Sequence, residues 1–207
     1  MVQAVTRKGR YIALEGAEAC GKSTHAIRLA DDLGAVHTRE TGGTRIGVKI
    51  REILHDHANT ELTDHAEVLL IAADRAQHRR EVLQPALDAG RHVVSDRSAY
   101  SSLAYQGYGR GVDLDVVRST NDWALDGEWP ELVILLDVPP EVLAERMRDR
   151  DLDRFERADE AFHARVRAGF SEMAAADPQH WFVIDGTASQ DDVAAQIRAI
   201  VRDRMGV

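Results

Sequence analysis

Five short apolar runs constrain this chain more than any other feature: Tyr11-Ile12-Ala13-Leu14, Ala35-Val36-His37-Thr38, His92-Val93-Val94-Ser95, Leu132-Val133-Ile134-Leu135-Leu136 and Trp181-Phe182-Val183-Ile184. They do not alternate polar with apolar, so each reads as a strand covered on both faces. The intervening stretches are long enough for crossover helices, which parallel strands require and hairpins do not. An α/β fold with a parallel sheet is therefore predicted. Helices are expected over roughly 22–33, 44–55, 64–89, 114–125, 140–148, 159–176 and 190–204. Pro140 suits a first turn, and Ser189 followed by Asp192 suits a capped start. With 207 residues, no internal repeat and no proline- or glycine-rich linker, residues 1–207 read as a single domain.

Charge and cysteine usage narrow the partners. A formal net charge of −9 leaves no excess of cations to release counterions from a polyanion, which argues against sequence-independent binding to nucleic acid. Any phosphate must be gripped locally. One cysteine, Cys20, rules out an intrachain disulfide framework. With no signal peptide and no apolar run near twenty residues, the expectation is a cytoplasmic protein with no membrane partner.

The stretch after the first run supplies the local grip. Gly16-Ala17-Glu18-Ala19-Cys20-Gly21-Lys22-Ser23-Thr24 matches the phosphate-loop pattern, with a strand before it and a helix after it as the motif requires. Its glycines let backbone N–H groups turn inward, and the following helix adds its positive end. Lys22 can bridge the β- and γ-phosphates of a nucleotide such as ATP, and Ser23 can ligate Mg²⁺. Cys20 reads as a small filler.

A second constellation follows the third run. Asp96 and Arg97 lie where loops beyond the carboxyl ends of parallel strands form ligand sites. The aspartate suits Mg²⁺ or its water shell, and the planar guanidinium suits a phosphate. After the second run, Arg39-Glu40-Thr41-Gly42-Gly43-Thr44-Arg45 repeats the arrangement. Three strand ends thus aim Lys22, Arg39, Arg45, Asp96 and Arg97 at one crevice in an acidic protein, which suggests more phosphates than one nucleotide carries. His55-x-His57 shows no ligand-like spacing, and both histidines read as surface residues.

These blocks resemble the thymidylate kinases of the nucleoside-monophosphate kinase group. The resemblance runs in order through the phosphate loop, Thr38-Arg39-Glu40-x-Gly42-Gly43-Thr44, Ala73-Asp74-Arg75, Gln84-Pro85-Ala86-Leu87 and Asp96-Arg97. It continues through Ser101-Ser102-x-Ala104-Tyr105-Gln106-Gly107, Leu136-Asp137-Val138, Asp153-Arg154-Phe155-Glu156 and Val183-Ile184-Asp185. It implies a P-loop NTPase fold with a five-stranded parallel sheet, Mg²⁺, ATP as donor, dTMP as acceptor and a homodimer. It also implies that Glu18 approaches the acceptor sugar, that Glu15 supports the turn, and that Arg39 and Arg97 hold the acceptor phosphate. Arg75, with Gln106, would read the base, beside Ser101 and Tyr105. The arginine-rich stretch over 146–157 resembles the family's lid, about a residue shorter than usual. Because Ala19 stands where some members carry a loop arginine, catalytic arginines are expected in the lid, at Arg148 and Arg150 without choice between them.

Three positions depart from the family pattern. Ile71 stands where an aromatic residue usually stacks on thymine, leaving an apolar floor. Ser98 replaces a common tyrosine, which would alter discrimination against ribose, and Thr41 replaces a proline, which would loosen the acceptor loop. Tyr100 and Tyr105 are candidates for compensating aromatic surface. The expected reaction is transfer of the γ-phosphoryl group to dTMP. The alternatives are a kinase of another pyrimidine monophosphate such as dUMP, or a nucleotide-binding regulatory protein without turnover.

Overall fold

The computed structural model describes residues 8–206. Its sheet has five strands in the order β2-β3-β1-β4-β5, all parallel: β1 Tyr11–Glu15, β2 Val36–Arg39, β3 Val93–Asp96, β4 Leu132–Asp137 and β5 Trp181–Asp185. The helices are α1 Lys22–Leu33, α2 Arg45–His55, α3 Asp64–His78, α4 Gln84–Asp88, α5 Ala99–Ser102, α6 Leu114–Leu125, α7 Pro140–Met147, α8 Glu160–Ala176 and α9 Gln190–Met205. Each expected strand is present, shifted by at most one residue.

Strand β4 shows why these runs do not alternate. Ile134 and Leu136 pack with residues of β1, α1 and α9, while Val133 and Leu135 pack on the opposite face with Leu103, Val117 and Phe170. Both faces bury side chains, so both demand apolar residues. The edge strand β2 differs from expectation: it ends the sheet, and His37 and Arg39 are exposed. The polar residue of the cap is in place at α2, α8 and α9, where Thr44, Asp159 and Ser189 accept from Gly47, Phe162 and Asp192 backbone N–H groups.

Two helical segments depart from the expectation. The stretch over 64–89 is interrupted by a π-helical turn, Arg79–Leu83, between α3 and α4. A helix over Ala99–Ser102 followed by a π-helical stretch, Leu103–Gly109, was not expected at all. Glycines at 107 and 109 disguise it, yet both sit against packed side chains: a Cβ on Gly107 would meet the tip of Leu114 at 2.4 Å, and one on Gly109 would meet Phe162 at 2.6 Å and Val166 at 2.9 Å. The crevice described next lies beyond the carboxyl ends of β1, β2 and β3.

Candidate active site

The phosphate loop joins β1 to α1 through left-handed backbone at Gly16, Ala19 and Gly21, with φ of 140°, 60° and 103°. Gly16 is fixed twice over, since a Cβ there would also lie 2.6 Å from the Leu136 carbonyl oxygen and 2.8 Å from Cys20 Sγ. Cys20 fills that space behind the loop. Lys22 is 5% exposed and folds over the loop, its Nζ donating to the Ala17 carbonyl at 2.6 Å. Burial and Arg97 push its pKa down, but Cys20, Glu18 and Asp96 outweigh them and hold it above the ordinary lysine value.

Glu15, the last residue of β1, is fully buried and ties this loop to the next one. Its Oε1 accepts from the Ser98 backbone N–H at 2.8 Å and hydroxyl at 2.7 Å, and its Oε2 accepts from Ser101 Oγ at 2.6 Å. Burial raises the Glu15 pKa, against Arg97 and the two serines. Ser98 is therefore a structural donor with no exposed surface. It lines neither cleft described below, so it does not take the place expected for a residue sensing the sugar.

Asp96 ends β3 beside Leu14 of β1 and Arg39 of β2 in register, and its Oδ2 accepts from the Ser23 hydroxyl. This donor set of one carboxylate and one hydroxyl fits Mg²⁺ that keeps several waters and is shared with nucleotide phosphates. Among the described residues no cluster of three or more His, Cys, Asp or Glu side chains forms a protein cage for a metal.

Arg97 follows with φ of 73°, a conformation that L-residues rarely adopt and that is enriched at functional sites. Its guanidinium donates to Ser101 Oγ at 2.9 Å, Tyr105 Oη at 3.1 Å and Glu18. The resulting ion pair holds the Glu18 carboxyl well below the usual range, although burial acts to raise it. Arg97 itself is pushed the other way: burial lowers its pKa, but Glu18, with Glu15 and Asp96 among the further partners, holds it above the ordinary arginine value.

Two clefts meet at this arginine. The narrow one, with about 60 Å³ of free space, is walled by Ile71, Arg75, Ser101, Tyr105, Gln106 and Phe155. The wide one, about 430 Å³, is walled by Lys22, Ser23, Arg39, Asp96, Arg146 and Arg150, together with Ala19, Gly21 and Thr24. Glu18, Glu40, Arg51 and Arg97 border both. Gly16 and Cys20 lie behind the wide cleft, and Ala17 faces an apolar hollow beside α7 and α8. The linings, largely apolar and aromatic in the narrow cleft and cationic in the wide one, suit a planar ring and a polyphosphate respectively.

Arg75 is buried in the narrow wall, with Nε donating to Glu40 at 2.6 Å, Nη1 to Ser102 at 2.8 Å and to Asn121, and Nη2 to the Ser98 carbonyl at 3.0 Å. A guanidinium has five N–H donors, so about one remains for a base oxygen. Glu40 also accepts from His78 and Tyr11 at 3.0 and 3.3 Å. Gln106 donates one amide hydrogen to Glu67 at 2.7 Å. Ile71 is 7% exposed and forms the apolar floor.

Several placements differ from the sequence reading. Arg45 is exposed at the start of α2 and borders neither cleft, whereas Arg51, two turns on, reaches the junction and donates to the Thr41 carbonyl at 3.1 Å. That contact pins the acceptor loop that Thr41 was expected to loosen. Arg39 borders the wide cleft only. Arg148 stands exposed beside Glu145 and borders neither cleft, while Arg150 borders the wide one. Arg146 joins it, donating to the carbonyls of Ala19 and Gly186 at 3.1 and 3.2 Å. Tyr100 packs in the core between Trp129 and Trp181, each ring at 4.9 Å, so only Tyr105 supplies the compensating surface considered for it. Phe155 adds a second aromatic wall. His55 is not a plain surface residue: it borders the narrow cleft and bonds to Asp153. No local signal in the sequence marks Arg51, whose stem passes 2.8 Å from where a Gly42 Cβ would lie.

Comparison with known proteins agrees with this geometry. A family model described as thymidylate kinase matches residues 14–197. The chain is 44% identical over 206 residues to a thymidylate kinase of Oleidesulfovibrio alaskensis, covering 93% of this chain and 97% of that one. It is likewise 44% identical over 203 residues to one of Deinococcus radiodurans, covering 95% and 98%. A crystal structure of thymidylate kinase from Ehrlichia chaffeensis superposes with a TM-score of 0.76 at 27% identity, covering 94% of this chain and 99% of that one. With a P-loop fold, two clefts joined by shared cations, and relatives matched along nearly their whole length, the chain belongs to the thymidylate kinase family.

Proposed function

We propose that the protein transfers the γ-phosphoryl group of Mg·ATP to dTMP, giving dTDP and ADP for dTTP synthesis. One observation carries this reading: the narrow, largely apolar cleft and the wide, cationic cleft share Arg51, Arg97 and Glu18 at their junction. Two phosphates repel each other, and cations fixed beforehand at their meeting point remove that barrier without reorganisation during the reaction. The acceptor phosphate is largely dianionic at neutral pH, with a second pKa near about 6, so no general base is needed.

Each side chain then has a definite task. Lys22 and the loop N–H groups hold the donor phosphates. Arg97 and Arg51, with Arg39 from the donor side, orient the acceptor phosphate. Ser23 and Asp96 would hold Mg²⁺, which neutralises phosphate charge when bound. Arg75 and Gln106 address the base over Ile71, with Tyr105 and Phe155 as aromatic walls. Arg146 and Arg150 close the wide cleft from the lid and exclude water.

Lys22→Ala should abolish dTDP formation while leaving the fold intact by circular dichroism; near-normal turnover would remove the basis of the assignment. Because Ile71 offers no stacking face, a second pyrimidine monophosphate such as dUMP is the alternative substrate. A coupled ADP-release assay across dTMP, dUMP, UMP and dCMP distinguishes them. Two further properties belong to the reading. Exposed apolar residues Ile46, Val48, Ile53, Leu69, Val116 and Trp123 lie on α2, α3 and α6, which pack side by side, and this supports a homodimer. Among the described residues no helix is long and apolar enough to cross a membrane, and a cytoplasmic site of action accords with substrates dissolved there.

A further inference from the structure

His55 ends α2 at the mouth of the narrow cleft, and the lid reaches down to it. Its Nδ1 lies 2.6 Å from Asp153 Oδ2, and its ring packs edge-on against Phe155 with centroids 5.3 Å apart. Asp153 in turn organises the segment that follows. Its Oδ1 accepts from the backbone N–H groups of Phe155 and Glu156 at 2.8 and 2.9 Å, and its own N–H donates to Glu156 Oε2 at 3.0 Å. The other oxygen of Glu156 pairs with Arg150 Nη2 at 3.2 Å, and Arg150 borders the wide cleft.

The same turn is held to the acceptor side by Arg154. Its backbone N–H donates to the His55 carbonyl at 3.2 Å, its Nε to the Leu54 carbonyl at 2.8 Å and its Nη2 to Glu67 at 2.5 Å. Glu67 also holds Gln106 of the narrow cleft. Glu156 is nearly buried, with a side chain 3% exposed, whereas Arg150 is 49% exposed and has the whole rotamer range of a long side chain open to it. An arginine so exposed is aimed at a ligand only if something fixes its far side.

We propose that His55 is a positioning residue that sets Arg150 over the donor phosphates through Asp153 and Glu156, so that a side chain lining the acceptor cleft takes part in the grip on the donor. The chain of contacts runs His55–Asp153–Glu156–Arg150. It rests on the kinase reading above in one respect, that the wide cleft takes ATP. Breaking it at either end frees Arg150 to solvent without removing any group that touches the acceptor phosphate. Asn at position 55 keeps a donor near the place of Nδ1; Leu keeps the bulk and loses the donor.

The experiment is calorimetric binding of the non-hydrolysable ATP analogue adenylyl imidodiphosphate, with Mg²⁺ and no acceptor. It uses the unmodified protein, H55L, H55N, E156Q, R150M and the double variant H55L/R150M, each first checked for folding by circular dichroism. Coupled side chains show interaction free energies that correspond to about five-fold in affinity. H55L and E156Q should each weaken binding about five-fold, H55N should restore it, and H55L should have no further effect in the R150M background. In steady state E156Q, which borders neither cleft, should raise KM for ATP while leaving KM for dTMP unchanged; a general loosening of the lid would change both. Losses that multiply in the double variant, or no restoration by H55N, overturn the proposal. Should H55L fail to fold, E156Q and E156Q/R150M make the same cycle. If the unmodified protein binds the analogue but turns over no dTMP, the substrate reading fails and the relay is still tested. If it turns over dTMP and the losses multiply, the relay alone fails. If it binds no analogue, both fall.

Discussion

Replacing Glu40 by glutamine asks how far the acceptor wall depends on buried charge. The carboxylate is 3% exposed and takes Arg75 Nε at 2.6 Å and His78 Nδ1 at 3.0 Å. Burial would raise its pKa, but Arg75 and His78 overcome that and bring it from 4.5 down to about 2. At about 1.4 kcal/mol per pH unit the gap is worth about 3 kcal/mol. An independent route gives the same size, because removing one partner of a buried ion pair costs about 3–5 kcal/mol and leaves the other charge uncompensated. Against a total stability of about 5–15 kcal/mol, Glu40→Gln should still fold. Its Tm should fall by about 6–12 °C, at about 2–4 °C per kcal/mol for a chain of this length. Urea unfolding and scanning calorimetry measure both quantities. In the Arg75→Met background, where the carboxylate has already lost that partner, the same Glu40→Gln change should cost about half as much. A single variant within about 1 kcal/mol of the parent, or an undiminished cost in the Arg75→Met background, refutes the reasoning.

Four further outcomes are expected. Ile71→Phe, which adds a stacking face worth on the order of 1 kcal/mol, should tighten dTMP binding about five-fold by calorimetry; an unchanged or weaker dissociation constant argues against a ring seated on that floor. Acid should weaken the fold in a defined window: Glu40 has a depressed folded-state pKa, so its contribution is complete above its ordinary 4.5 and is lost as pH falls toward about 2. Asp153 acts in the same direction, lowered by His55 and the Glu156 backbone against its burial, while Glu15, raised by burial, partly offsets both; urea midpoints that rise from pH 5 to pH 3 would contradict this sign. Gly16→Ala places a Cβ 2.6 Å from the Leu136 carbonyl oxygen at φ 140° and should remove ATP binding, read by a fluorescent ATP analogue. Leu69→Arg with Trp123→Glu, at side chains 63% and 82% exposed, should convert a dimer to a monomer in light scattering without unfolding it.

The framework of the molecule was legible because it obeys local rules. Leu132 to Leu136 announces a strand covered on both sides, and the setting of Gly16 to Thr24 between strand and helix announces a phosphate loop. Asp96 and Arg97 were legible from their place at a strand end. What escaped depends on contacts distant in sequence. Arg51 lies on a helix whose first residue, Arg45, looked the better candidate, and only the direction of α2 separates them. His55 gains its partner from a residue 98 positions away. Phe155 and Arg146 lie in or beside an irregular lid with no periodicity to show which side faces the ligand, and the same lack left Arg148 and Arg150 indistinguishable. The helix at 99–109 was hidden because Gly107 and Gly109 are there for close packing rather than for turns.

Glu15 ends β1 and holds Ser98 and Ser101 through its carboxylate, which ties the floor of the donor site to the start of the acceptor wall. A change in spacing between the two floors would have to break these three bonds to a fully buried carboxylate. A bisubstrate inhibitor that joins an adenosine to a thymidine therefore faces a distance set by the protein: its linker has one best length, and affinity should fall on either side of it instead of reaching a plateau.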